Sequence, residues 1–197
     1  DLDLLSGGAP CQAFSYAGKR LGLEDARGTL FYHYATFLQK LQPKMFLFEN
    51  VRGLLTHDKG RTYATITNIF EQAGYTIQKK VLNAWDFGVP QKRERIIIVC
   101  FLEDVDFSFP DPIPESERKT LSDILEDTVD KKYYVRDAIR ESRIERLKDK
   151  NYPKPYISHE NMAGSITPHP YSSALRAGAS ANYISVSYTH LRAHETC

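Results

Sequence analysis

The sequence is short of cysteine, almost without net charge, and has no long apolar run. Its three cysteines, Cys11, Cys100 and Cys197, are widely separated and odd in number, which argues against a disulfide framework and offers no zinc-ligand spacing. A formal net charge of +1 means that no overall basic field announces nucleic acid. Lysines and arginines gathered on one face would still bind it. No apolar stretch reaches the length that crosses a bilayer, and no secretory leader is visible. The expectation is a protein of the reducing cytoplasm, with no membrane span and no metal site. An initiator methionine is also missing. The chain opens on DLDLLSGG and closes in a polar stretch, so it reads as a segment of a longer protein.

What is present suits one core with an appendage, given 197 residues. Asp3 to Ser6 reads as a short buried strand before the Gly7-Gly8 turn. From Gly28 to Leu41, the apolar residues Leu30, Phe31, Tyr34, Phe37, Leu38 and Leu41 paint one helical face, and Pro43 ends it. MFLFEN then reads as a buried strand ending at Glu49 and Asn50. A second helix is expected over Arg61 to Ala73, stopped by Gly74. Two further strands follow, Tyr75 to Asn83 and Arg95 to Leu102. The second, RIIIVCFL, is continuously apolar, as a central strand would be. Alternating strands and helices imply an α/β sheet with helices on its faces. In such sheets chemistry gathers where strands end, so Cys11 after the first strand and Glu49 at the end of the second share an expected crevice.

The character changes at FPDPIP, Phe109 to Pro114, a stiff extended stretch with three prolines. The expected layout is a core over 1–108, a linker over 109–118 and an irregular recognition region over 119–184. TLSDILED and VRDAIRESRIERLKDK look helical, while Asn151 to Asn182 looks loop-like. The closing SVSYTHLRAHETC, Ser185 to Cys197, reads as a tail foreign to the rest. Its His190 and His194 are four apart, but HExxH and a third ligand are missing, so no metal is expected.

Three short segments carry chemistry. GGAPCQAFS, Gly7 to Ser15, presents Cys11 in a loop shaped by Gly and Pro, as a nucleophilic thiolate requires. FENV, Phe48 to Val51, ends an apolar strand with a carboxylate in a partly desolvated place, suited to proton donation near neutrality. QKRER, Gln91 to Arg95, projects Gln91, Arg93 and Arg95 to one face if it is a strand. Each has a plain structural alternative: a buried cysteine, a surface or capping glutamate, a solvated charge cluster.

In this order, PCQ, ENV and QxRxR resemble the fourth, sixth and eighth motifs of the cytosine-5 DNA methyltransferases. DARGTLF, Asp25 to Phe31, resembles the motif between the first two. SYAGKRLGLEDARG and VLNAWDFGVPQKRER are similar to the bacterial restriction–modification members. The resemblance covers Asp1 to Leu102 strongly and the remainder weakly.

The resemblance implies part of a Rossmann-like S-adenosylmethionine-dependent methyltransferase sheet, plus a small irregular target-recognition region. It implies that the Cys11 thiolate adds to C6 of a cytosine while Glu49 protonates or hydrogen-bonds N3. The enamine so formed takes the methyl at C5, after which the C5 proton and the thiol depart. Arg95, supported by Arg93, holds the cytosine and its site. Pro10 and Leu30 match positions near S-adenosylmethionine. Gln12, Ser15, Lys19, Arg27 and Thr167 match positions that contact DNA, from which the base must be flipped out. His169, Tyr171, Ser172 and Arg176 are candidate sequence readers. The implied partner is double-stranded DNA, bound by a monomer, with a cognate restriction endonuclease as functional counterpart. Two alternatives are a tRNA-methylating member and a catalytically silent DNA-binding relative. The family's Gly-rich cofactor turn, its ribose-binding acid and its last two motifs are not in this sequence, so the chain alone is expected to be inactive.

Overall fold

A computed structural model describes residues 2–9, 26–125, 136–147, 156–160, 165–174, 182–184 and 190–191. Pro10, Cys11, Gln12, Ser15, Lys19, Arg176 and His194 lie outside the described residues. The chain divides into two units, Asp1–Leu82 with Glu94–Asp111, and Asn83–Arg93 with Pro112–Cys197.

The first unit is α/β. Strands β1 (Leu4–Gly7), β2 (Met45–Val51), β3 (Thr76–Asn83, its last residue in the other unit) and β5 (Glu94–Phe101) form a four-stranded sheet in the order β1-β2-β5-β3. RIIIVCFL is central, as its apolar run requires. β1 is an edge strand with Leu4 half exposed, not the buried strand expected. β1 runs parallel to β2, but β5 runs antiparallel to β2, with Glu49 opposite Ile97 and Val51 opposite Arg95. The start of β5 therefore lies beside the end of β2.

Helices α1 (Ala26–Leu41) and α2 (Arg61–Gln72) pack on one and the same face of the sheet, not on both. Alternation sends Phe46, Phe48 and Asn50 of β2 into that face. There the Phe46 and Phe48 rings meet Phe70 of α2 at 4.8 and 5.7 Å, and Phe48 meets Phe31 of α1 at 6.2 Å. The buried stripe of α1 is Phe31, Ala35 and Leu38 with Tyr34 partly buried. Phe37 and Leu41 are exposed, contrary to the single apolar face expected. At 3.6 residues per turn, Phe37 lies roughly 110° from the centre of that stripe and Leu41 roughly 70°. The α2 helix ends as its sequence predicts. Gly74 adopts φ +93°, and the N–H groups of Gly74 and Tyr75 donate to the carbonyls of Glu71 and Phe70, a left-handed stop that favours glycine.

The second unit holds β4 (Gln91–Lys92), α3 (Asp137–Leu147), β6 (Ile157–Glu160), β7 (Ile166–His169), β8 (Ser172–Ser173), β9 (Asn182–Ile184) and β10 (His190–Leu191). TLSDILED contributes only a short 3-10 turn, Leu121–Asp123, among its described residues. The stretch expected to be loop contains strands, and the order β10-β9-β6-β7 makes an antiparallel sheet. Pro168 hid β7, since proline is rare in strands. β7 is at the sheet edge, where a missing N–H is tolerated. Alternation on β7 buries Ile166 and Pro168 and exposes Thr167.

Candidate active site

The carboxylate of Glu49 and the guanidinium of Arg95 meet at the rim where β2 ends and β5 begins. Arg95 Nε lies 2.7 Å from Glu49 Oε1, with side-chain exposures of 22% and 42% respectively. Both residues belong to the sheet face opposite the helices, because Glu49 sits between Phe48 and Asn50, which point the other way. Arg95 Nη1 also donates to the carbonyl of Glu94 at 2.9 Å. That bond limits the rotation of the planar guanidinium and aims it along the rim. On the other face, Arg52 Nη1 pairs with Glu94 Oε2 at 3.0 Å. The two strands are thus cross-linked on both faces at this end.

The segment leaving β1 passes directly over Glu49. A Cβ added to Gly8 would lie 2.9 Å from the Glu49 carbonyl oxygen and 3.0 Å from Oε2, so only glycine fits without a shift. The next residue, Ala9, accepts a 2.8 Å hydrogen bond from Asn50 Nδ2, while Asn50 Oδ1 accepts from the Val51 N–H at 2.9 Å. Chemically, one carboxylate oxygen is held by an arginine and the other faces the backbone that runs toward Cys11. Such an acid is fixed in direction and remains open to a ligand.

Other site residues foreseen from the sequence fare differently. Arg27 and Leu30 lie on α1. The strand face expected for Gln91, Arg93 and Arg95 does not exist. Gln91 and Lys92 form β4, paired with Ser172 and Ser173 of β8, and β5 begins only at Glu94. Arg93 is exposed, its N–H donating to Asn83 Oδ1 and its carbonyl accepting from Ala84. The pairing of β4 to β8, some eighty residues away, is what breaks the run. Thr167 is exposed on β7, opposite His159 of β6.

In the second unit the rings of His169 and Tyr171 stack 5.0 Å apart, and Tyr171 packs on Trp85 at 4.3 Å. Arg118 lies over Trp85 at 5.1 Å and pairs with Asp86 at 2.8 Å. Sequence reading passed over Asn50, Gly8, Trp85 and Arg118. Asn50 and Gly8 stood inside segments already singled out, but only the fold reveals their partners. Among the described residues no group of three or more His, Cys, Asp or Glu is placed to hold a metal ion, and no helix is long and apolar enough to cross a membrane.

A family model described as C-5 cytosine-specific DNA methylase matches residues 1–195. The chain belongs to this family. Among similar members, the Type II methyltransferase M.NgoBI of Neisseria gonorrhoeae is 50% identical over 188 residues, which is 94% of this chain and 58% of that protein. The Type II methyltransferase M.HaeII of Haemophilus aegyptius is 48% identical over the same shares. The chain therefore spans less than two thirds of the length of these relatives. The crystal structure of the S. pombe Dnmt2 methyltransferase shares the fold, with a TM-score of 0.58 at 22% identity, over 74% of this chain and 47% of that one.

Proposed function

We propose that the complete protein is a DNA (cytosine-5-)-methyltransferase of a restriction–modification system, and that this chain supplies the groups that act on the base. The observation that carries the reading is the Glu49–Arg95 pair, 2.7 Å apart, beneath the segment that leads from β1 to Cys11. Half-identical relatives named Type II methyltransferases support DNA as the substrate.

In this reading the Cys11 thiolate forms a bond to C6 of a flipped cytosine as the C5–C6 double bond opens. Glu49 donates a proton or hydrogen bond to N3, so that charge pushed into the ring is neutralised where it collects. Arg95 holds the Glu49 carboxyl and so fixes the direction from which it reaches N3. Once C5 is methylated and has lost its proton, the C6–S bond breaks and the thiolate leaves.

S-adenosylmethionine, when bound, supplies an electrophilic methyl group. Pro10 and Leu30 are the residues of this chain assigned to it. Of these, Leu30 lies on α1, and the chemistry attributed here is confined to the base. Gln12, Ser15, Lys19, Arg27 and Thr167 are assigned to DNA contact. Residues 1–108 serve as catalytic core, 109–118 as linker and 119–184 as target-recognition region. The protein acts as a cytoplasmic monomer, with a cognate endonuclease as functional partner only. The chain by itself, spanning 58% of its relatives, transfers little or no methyl.

Bisulfite sequencing of DNA from cells expressing the complete gene tests this. Methylated cytosines within one short sequence context are the expected result. Unmodified DNA, with methyl groups found on tRNA instead, would overturn it.

A further inference from the structure

We propose that Asn50 is a positioning residue for the nucleophile: its buried amide ties the strand that carries Glu49 to the backbone two residues before Cys11. The inference rests on the functional reading above. On β2, the residues sharing the face of Asn50 are Phe46 and Phe48, both fully buried in the aromatic core. Shape and burial alone would continue that apolar row. Instead a primary amide, 4% exposed, stands there.

Its two ends are used differently. Val51 N–H can only donate, so it takes the amide oxygen at 2.9 Å, and this leaves Nδ2 to donate to the Ala9 carbonyl at 2.8 Å. The orientation is therefore set from within β2, and the free end reaches a partner 41 residues away. A second, independent contact acts on the same segment. Gly8 lies so close to Glu49 that an added Cβ would be 2.9 Å from its carbonyl oxygen. Gly8 bears on the acid and Ala9 is held by its neighbour, so the backbone of these two residues is fixed from both faces of β2. In a covalent reaction the attacking sulfur and the acid must meet one base together, and small misplacement costs rate rather than binding.

The test measures covalent adduct formation between the full-length protein and duplex DNA carrying 5-fluorocytosine at the target, with DNA and S-adenosylmethionine both saturating, since fluorine traps the adduct only once C5 is methylated. Asn50→Asp keeps the acceptor for Val51 but loses the donor to Ala9. Asn50→Leu keeps the volume without burying a charge, so it serves where the acidic variant does not fold. The expected result is an adduct rate per folded molecule lowered roughly 100-fold, with DNA affinity near that of the wild type. A rate per folded molecule equal to wild type, or DNA affinity and rate falling in equal measure, overturns the positioning role. If the wild-type protein itself forms no adduct, the functional reading falls and this inference with it. If the wild type forms the adduct and both variants form it at the same rate, the positioning role alone falls and the functional reading stands.

Discussion

Arg95 Nε lies 2.7 Å from Oε1 of Glu49, though the two residues occupy opposite ends of their strands in chain order. They meet because β5 runs antiparallel to β2, which places Val51 beside Arg95 and Glu49 beside Ile97. Residues two apart across such a ladder share a face and lie within reach of long side chains. The pair needs a guanidinium in this geometry. Arg95→Lys retains charge but loses the planar fork that bonds Glu49 and the Glu94 carbonyl together.

The functional consequence is measurable in the full-length protein. Arg95→Ala is expected to lower kcat/KM for methyl incorporation into duplex DNA by roughly 100- to 1,000-fold, with Arg95→Lys recovering only a small part. Glu49→Gln is expected to lower it by about 100- to 10,000-fold. Either variant retaining wild-type kcat/KM would remove the pair from the mechanism.

Stability is expected to depend on the aromatic row rather than on exposed apolar residues of the same first unit. Phe46 is fully buried, with ring centroids of Phe70 and Tyr75 at 4.8 and 4.7 Å. Phe46→Ala is expected to cost about 3–5 kcal/mol in chemical denaturation. Phe37, 54% exposed on α1, is expected to cost about 0.5 kcal/mol or less on truncation to Ala. Equal losses would contradict the packing described.

Much of this first unit is readable in the sequence. RIIIVCFL is central, flanked by β2 and β3, with Ile96, Ile98 and Cys100 buried in the core and Val99 and Phe101 buried on the other alternation, and Gly74 marks the end of α2 through a backbone angle that other residues avoid. The direction of β5 is not readable, since an apolar run is the same in either sense. Gln91 to Arg95 alternates like a strand, yet β4 is captured by β8 and the alternation ends at Arg93. Likewise β6 and β7 lie in a Pro- and Ser-rich stretch whose strand character comes from pairing, β6 lying between β7 and β9. Glu49 and Arg95 could be singled out from their motifs. The role of Asn50 could not, because its partner is a carbonyl 41 residues distant.

Thiol reactivity separates the cysteines. Cys100 is fully buried in the core on β5, and burial pushes its thiol well above the usual range. It is expected to stay unmodified by iodoacetamide at pH 8 until denaturant is added, as read by peptide mass spectrometry. Rapid native-state labelling of Cys100 would contradict the core placement.

In the second unit, the Tyr171 ring lies against Trp85 and His169. Tyr171→Phe is expected to leave target choice and stability near wild type. Arg118→Ala removes both the Asp86 ion pair, with side chains 18% and 27% exposed, and the contact over Trp85. It is expected to cost about 1–3 kcal/mol of thermal or denaturant stability. A changed methylation site in Tyr171→Phe, scored by bisulfite sequencing, would instead make its hydroxyl a reader.

The decisive measurement concerns one sulfur atom. Full-length protein is incubated with cofactor and a duplex in which the target cytosine carries fluorine at C5, which cannot leave as the proton does, and the mixture is resolved under denaturing conditions. A protein–DNA species that survives denaturation, maps to Cys11 and vanishes in Cys11→Ser is the predicted result. Persistence of that species in Cys11→Ser, or its absence from the wild type on DNA it methylates, would contradict the mechanism.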